Sequence, residues 1–272
     1  PMRSPKPSLL RSCVAAWALS FLFAMEGALA QGFAAYITPP RIEVAIKPGE
    51  RVRQVVEIQH VGQQKGGYRV YTNDWTFKPD NSLQFGNDLA ADSCRPWVAI
   101  ERRELAIEPG QKYRYRFEIS PPPGTEPREC RFALMFEGAD PARVSGPVNF
   151  PVGGRVAVIV YASIGGAQPV LSVTGTRVAL VGGKPVPIVD IRNTGNAHGR
   201  VDGFLDAVDA SGQRVEMSPA DLPVLPGETR GIALTPVPDA SGRAPVLNFP
   251  LTVTGSLEWR NERLPLNARF AP

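Results

Sequence analysis

Glycine and proline set the strongest limit on what this chain can become, with 26 glycines and 28 prolines spread through 272 residues. A glycine costs a helix interior about 1 kcal/mol and a proline about 3 kcal/mol, so few windows survive for a helix of ordinary length. Between the breaks, apolar residues recur with a period of two: Ile42, Val44 and Ile46, then Tyr113, Tyr115, Phe117 and Ile119, then Phe132, Leu134 and Phe136. Such alternation puts apolar side chains on one face of a half-buried strand. The stretch Trp97 to Glu108 comes nearest to a helical pattern. There too Val98 with Ile100, and Leu105 with Ile107, keep the period of two, which predicts two short strands around a charged corner. Many short strands divided by Gly/Pro turns predict an all-β chain built of immunoglobulin-like β-sandwiches.

An internal echo predicts two of them. In the first half a strand from Val55 to Ile58 runs into His60-Val61-Gly62, and Glu108-Pro109-Gly110 later opens the strand Tyr113 to Ile119. In the second half Ile188 to Ile191 runs into Asn193-Thr194-Gly195, and Leu225-Pro226-Gly227 opens Ile232 to Thr235. A turn follows one core strand and a Pro-Gly corner starts another, in the same order both times. The strongly apolar strand Val156 to Tyr161 gives way to Gly165-Gly166-Ala167-Gln168-Pro169, a small-residue linker. The expected division is a domain over 31–165 and a second over 166–272.

Ahead of both, Arg3, Lys6 and Arg11 precede an uncharged, mostly apolar run from Cys13 to Met25, and Ala28-Leu29-Ala30 offers a small-x-small cleavage pattern. Residues 1–30 therefore read as a secretory signal peptide, with the mature chain starting at Gln31. The apolar run is well short of the ~20 residues that span a bilayer, so no membrane insertion is expected after cleavage. Loss of three basic residues and one acidic residue leaves 27 Lys+Arg against 25 Asp+Glu, or +2. With basic residues alternating along strands, as in Tyr113-Arg114-Tyr115-Arg116-Phe117, no nucleic-acid partner is expected. Cys94 and Cys130 survive cleavage, an even count suited to an oxidising compartment, and are expected to form a disulfide; two buried free thiols are the alternative.

Catalytic signatures are not found. The sequence has no Gly-rich phosphate loop, nucleophile elbow or metal-spaced His/Cys set, so no enzyme activity, cofactor or metal is expected. Its two histidines, His60 and His198, lie near glycines and read as surface turn residues. Val152-Gly153-Gly154-Arg155 reads as a two-glycine turn or bulge, because no helix pattern follows it.

Residues 36–165 resemble the first domain of the PapD-like periplasmic chaperones of pilus and fimbria assembly. The features come in order: a first strand entered through Pro39-Pro40-Arg41, a core strand ending at His60-Val61-Gly62, and Trp97-Val98 leading to Glu108-Pro109-Gly110. An Arg-bearing strand (Tyr113 to Ile119) follows, then Glu129-Cys130-Arg131-Phe132 and a long last strand through Val160-Tyr161. Residues 168–272 resemble the second domain more loosely.

The resemblance implies a periplasmic chaperone that binds pilus or fimbrial subunits lacking their final strand, with an outer-membrane usher as a further partner. It caps them by lending its own last first-domain strand, a case of β-augmentation. The lent residues implied are Val148, Phe150 and Val152; their alternative reading is ordinary core of their own domain. The family grips the subunit's C-terminal carboxylate with an Arg and a Lys. Arg41 fits the first by position, a solvated edge charge being its alternative, whereas the Lys position is Val158 here and Arg155 is the nearest substitute. The chain also departs from the family after Tyr161, with Ala162-Ser163 in place of Arg-Pro. The alternative function is a structural or adhesive cell-envelope protein built from the same two-domain sandwich.

Overall fold

The computed structural model describes residues 33–78, 80–139, 142–143, 151–152 and 154–272. The expected signal segment, Val148 and Phe150 lie outside the described residues.

The first unit contains β1 (Ala35–Thr38), β2 (Arg41–Ile46), β3 (Val52–His60), β4 (Gly66–Phe77), β5 (Leu83–Gly86), β6 (Val98–Ile100), β7 (Glu104–Ile107), β8 (Lys112–Ile119), β9 (Arg128–Gly138), β10 (Ala142–Arg143), β11 (Pro151–Val152) and β12 (Arg155–Ile164). One sheet runs β1-β3-β8-β6 and the other β2-β12-β9-β4-β5, with β7 also on β4. Between them lie Val56, Ile58, Tyr115 and Phe117 from the first sheet, and Val70, Phe132, Leu134, Phe136, Val158 and Val160 from the second. Tyr115 meets Phe136, and Phe117 meets Phe132, edge to face at 5.5 and 6.0 Å between ring centres, a geometry that adds to the area they bury. The segment from 97 to 108 forms β6 and β7 around a corner, after a single 3-10 turn at Arg95–Trp97.

Pro39 and Pro40 explain how one strand serves both sheets. Neither has an N–H to continue a ladder. β1 therefore ends its antiparallel pairing with β3 at Thr38, and beyond the prolines β2 pairs in parallel with β12, Arg41 opposite Ile159 through Ile46 opposite Ile164. β9 sits at the centre of its sheet, and its unbroken buried run Phe132 to Phe136 reflects cover on both faces. Cys94 and Cys130 form a disulfide, Cα atoms 5.7 Å apart, that ties the segment before β6 to β9.

The second unit contains β13 (Leu171–Val181), β14 (Lys184–Asn193), β15 (Leu205–Val208), β16 (Arg214–Pro219), β17 (Thr229–Pro236), β18 (Leu251–Trp259) and β19 (Glu262–Phe270), hydrogen-bonded in the order β13-β14-β17-β16-β15-β18-β19. β16 joins β17 only through Met217–Pro219, where the path folds over. Val189, Ile191, Ile232 and Leu234 thereby pack in one core with Leu205, Val253, Leu257 and Phe270. The described residues are all-β, two sandwiches in sequence.

The structure corrects the reading of both histidines as surface turn residues: His60 is 4% exposed and His198 9%. Burial of His60 is tolerated because both ring nitrogens are satisfied, Nδ1 with the Tyr68 hydroxyl at 2.5 Å and Nε2 with the Gln64 carbonyl at 2.6 Å.

Candidate functional site

One flank of β12 is covered along its whole length and the other only in part. β9 pairs with every residue from Arg155 to Ile164, whereas β2 reaches only Ile159 to Ile164. Ile159 N–H donates to Pro40 O at 3.1 Å on the β2 side. A strand's backbone groups alternate sides with a period of two, so the N–H and C=O of Ala157 and Arg155 point to that same flank. Beyond the start of β2 no strand pairs there among the described residues. Among the described residues this is an open sheet edge, the kind of surface another chain can extend.

The side chains of β12 divide by the same alternation. Val158 and Val160 are fully buried in the first core. The position where the resemblance expects a lysine therefore faces the core, where an ammonium would be desolvated. Ala157, Ile159 and Tyr161 lie on the opposite face, with Trp75, Ala133 and Met135, flanked by Tyr71, Phe77, Leu83 and Phe85. Upstream, Val152 lies in β11, a two-residue ladder with β10. Gly154 separates the two strands, and a Cβ there would fall 2.1 Å from Phe33 Cβ, so the close approach requires glycine.

The outer face of the β12 sheet meets the second domain. Leu225 packs into its apolar cluster, and the Arg230 guanidinium lies 4.1 Å from the centre of the Phe77 ring while donating to Asn81 Oδ1. The His198 ring stacks on Tyr161 at 3.8 Å between centres, and Arg200 lies 6.0 Å from the same ring. Burial pushes the Tyr161 hydroxyl up to about 12, against the pull of Arg200.

A chain of charges continues from this stack. His198 Nδ1 and backbone N–H both reach Glu129 Oε2, and its Nε2 lies 3.6 Å from Glu43. Glu129 also accepts from Arg131 at 3.2 Å, and its side chain is 2% exposed. Arg41 holds Glu43 at 3.0 Å and Asp221 at 3.4 Å, and Arg200 holds Asp221 at 2.7 Å. Burial works to lower the His198 pKa, but bonds to Glu129 and Glu43 outweigh it and the net shift is upward. The bond from His198 holds Glu43 below the ordinary carboxylate range, against its own burial.

Of the residues singled out in the sequence, the structure places Arg41 at the domain junction, beside Asp221, and Arg155 elsewhere. Arg155 is the cross-strand partner of Glu137 and sits near the Tyr71 hydroxyl. It is four positions along β12 from Ile159, the residue opposite Arg41, or roughly 13 Å at strand spacing. The basic group brought to Arg41 is Arg200. Sequence reasoning missed Arg200, His198, Glu129 and Asp221. No local pattern marks them, because Glu129 and His198 are 69 residues apart, and Arg41 and Asp221 180.

Among the described residues no helix is long and apolar enough to cross a membrane, and no group of three or more His, Cys, Asp and Glu could hold a metal ion. No family model matches the chain, and neither does any curated protein. Solved structures do. The chaperone CfaA of class 5 fimbriae is 14% identical, with a TM-score of 0.47, covering 88% of this chain and 99% of its own. The YadV chaperone is 12% identical, with a TM-score of 0.47, covering 87% of this chain and 100% of its own. A chain of the CsuC–CsuE chaperone–tip adhesion subunit pre-assembly complex from the archaic chaperone-usher Csu pili of Acinetobacter baumannii is 13% identical, with a TM-score of 0.45, covering 88% of this chain and 99% of its own. The chain is thus similar along most of its length to chaperones of fimbriae and pili.

Proposed function

We propose that this protein is a periplasmic chaperone that captures incomplete immunoglobulin-like subunits of a pilus or fimbria by lending them a strand. The observation that carries the reading is the open flank of β12 at Arg155 and Ala157, directly upstream of Arg41. Lone β-sandwich edges invite aggregation, and proteins normally cover or blunt them. A strand whose first half has no partner on one flank among the described residues fits a surface kept open for a partner. Backbone pairing supplies affinity, and alternating side chains supply selection.

The geometry also gives the partner strand a direction. β2 begins at Arg41 and closes the flank from Ile159 onward, so a strand added beside Ala157 must stop there. The residue at the stop is Arg41, whose guanidinium is paired with Glu43 and Asp221 and can exchange them for a chain's carboxylate end but not for its amino end. The added strand therefore runs parallel to β12, as β2 does. Upstream, Val148, Phe150 and Val152 would fill the subunit's groove, with a gross gain of roughly 5–9 kcal/mol before ordering costs. The two domains are divided at Gly165–Pro169, and the signal segment accounts for export.

Phe150→Glu tests the assignment. The lent-strand reading expects loss of co-purification with fibre subunits and little change in the melting temperature of the free protein. A side chain that belongs to its own core would reverse the two effects, because an unpaired buried charge unfolds a sandwich. A large drop in the melting temperature of the free protein would remove Phe150 from the binding strand.

A further inference from the structure

The sheet β1-β3-β8-β6 turns its second face to solvent, on the far side of the first sandwich from the second domain. The alternation that buries Tyr115 and Phe117 sends Lys112, Arg114 and Arg116 outward from β8, and the register sets them beside Arg53 and Glu57 of β3. Arg51 extends this surface at one end, and Glu101 with Arg102 stands at the corner after β6. With that corner the face holds six cations against three carboxylates, a net of +3. The second domain is balanced at ten of each, and the whole chain from Gln31 carries only +2, so the excess positive charge of the protein is gathered here. The two signs also sit at different heights. The side chains of Arg51, Arg53, Lys112 and Arg116 are 55–69% exposed, those of Glu57, Glu101 and Glu118 only 21–34%. Glu118 accepts from Arg53 at 2.6 Å and lies 3.4 Å from Arg51. Glu101 accepts from the Tyr113 hydroxyl and Arg116 N–H at 2.7 and 2.9 Å, with the Arg102 and Arg116 guanidiniums 3.7 and 3.8 Å away. Each of these recessed carboxylates thus steadies two cations and neutralises one.

A guanidinium has five donors, and the inward bonds use one or two of them, so the remainder point to solvent. The shape of the face narrows the partner. Protein interfaces centre on apolar or aromatic anchors and are depleted of charge there, whereas the middle of this face is Arg53, Arg114 and Arg116 around Val55. A bilayer with anionic headgroups needs no anchor, only raised cations spread over a broad surface. We propose that the outer face of β1-β3-β8-β6 docks on anionic phospholipid headgroups and holds the first domain against a membrane surface. Tyr36, exposed on β1 opposite Gln59, adds an amphipathic ring at the margin of the face, suited to headgroup depth. Docking this way leaves the β12 sheet turned toward the second domain and away from the lipid. The proposal goes beyond subunit capture and does not depend on it, because the two surfaces lie on opposite sides of one sandwich.

The test floats the chain from Gln31 onward with vesicles of phosphatidylcholine, either pure or with roughly one-third phosphatidylglycerol. At about 50 mM salt the anionic vesicles should carry the protein with them and the neutral ones should not, and about 500 mM salt should release it. Arg53→Gln combined with Arg114→Gln should weaken binding roughly thirtyfold, the loss expected for two cations at a lipid surface. Arg243→Gln combined with Arg263→Gln removes the same charge from exposed positions of the second domain, and should change binding by less than about twofold. Melting temperatures are read alongside. Should the loss of Arg53 free Glu118 and loosen the sheet, Lys112→Gln with Arg114→Gln reads the same face. Equal binding to neutral and anionic vesicles, no binding to the anionic ones at low salt, or equal losses from the two variant pairs would each overturn the proposal. If soluble polyglutamate binds with the same dependence on Arg53 and Arg114 while the vesicles do not bind, the partner is an acidic polypeptide and the lipid assignment is wrong. No arm of the experiment contains a fibre subunit, so failure of the strand-lending reading would leave every result unchanged.

Discussion

In the first domain β3 ends at His60, whose carbonyl accepts from Gly110 N–H at 3.0 Å; in the second β14 ends at Asn193, whose carbonyl accepts from Gly227 N–H at 3.0 Å. The turns match as well, Gln111 N–H to Glu108 O at 3.1 Å and Glu228 N–H to Leu225 O at 3.0 Å, with Pro second and Gly third in each. Gly110 and Gly227 have φ of 72° and 76°, the left-handed conformation that the third residue of a type II turn requires. Return bonds close both corners, His60 N–H to Gln111 O at 3.0 Å and Asn193 N–H to Glu228 O at 2.9 Å.

The side chains at these matched corners do different work. His60 bonds within its own domain, to Tyr68 and Gln64. Asn193, fully buried, accepts from Val170 and Gly195 N–H and donates to the Ala197 and Val224 carbonyls, at 2.8 to 3.2 Å. It thereby fixes the loop that follows β14, and that loop is the bridge to the first domain. Asn196 donates to Pro127 O at 2.7 Å and accepts from Glu129 N–H at 2.9 Å, and His198 N–H donates to Glu129 at 2.9 Å. A generic Pro-Gly corner thus becomes an interdomain anchor through the one residue that ends the strand before it.

The comparison breaks most visibly at Asn193. Asn193→Ala removes a fully buried side chain and its bonds to four backbone groups, of which the Val224 carbonyl alone keeps another, from Gly199 N–H; at about 1–3 kcal/mol for each group left unpaired where water cannot reach, the second domain should lose about 3–5 kcal/mol in urea unfolding. The disulfide comes next and acts on the first domain alone. Cys94 and Cys130 are 36 residues apart, and opening that loop with the double alanine variant should cost about 3–4 kcal/mol by the chain-entropy estimate. His60→Ala removes two buried contacts, and should cost about 2–3 kcal/mol without loosening the domain junction. Should His60→Ala prove as costly as Asn193→Ala, the two corners carry equal weight and the distinction drawn between them is wrong.

What the sequence reveals, and what it hides, follows the range of the interactions. Strands over 97–108, the exposed-to-buried alternation of Tyr113 to Ile119 and both Pro-Gly corners were legible because each depends on neighbours a few residues away. The linker's composition and the two matched corners likewise suggested two units. The histidines misled because a nearby glycine marks a turn locally, while burial is decided by what packs over that turn. Arg41 could be singled out from the strand it opens, but its companion could not. Arg200 comes beside Arg41 only because the second domain docks on Tyr161, and no spacing along the chain records that docking.

The smallest expected effect is a pH dependence of the junction itself, and its sign follows from His198. Burial disfavours the imidazolium, but Glu129 and Glu43 raise the folded pKa above the unfolded value near 6.5. A raised histidine contributes its stability fully below about 6.5, and loses it as pH climbs through the folded value. Glu43 acts in the opposite sense: its lowered pKa contributes above its unfolded value of 4.5, and the contribution fades as pH falls through the folded one. The His198 contacts should therefore be strongest between about pH 4.5 and 6.5, and weaken toward pH 9. The change is small because desolvation of the imidazole, the largest influence on it, opposes the pairing. His198→Gln keeps a polar side chain but cannot charge, so its unfolding free energy should vary less than the native chain's between pH 6 and 9. If the native chain instead gains stability over that interval relative to His198→Gln, the histidine is not held as a cation, and the junction rests on stacking against Tyr161 alone.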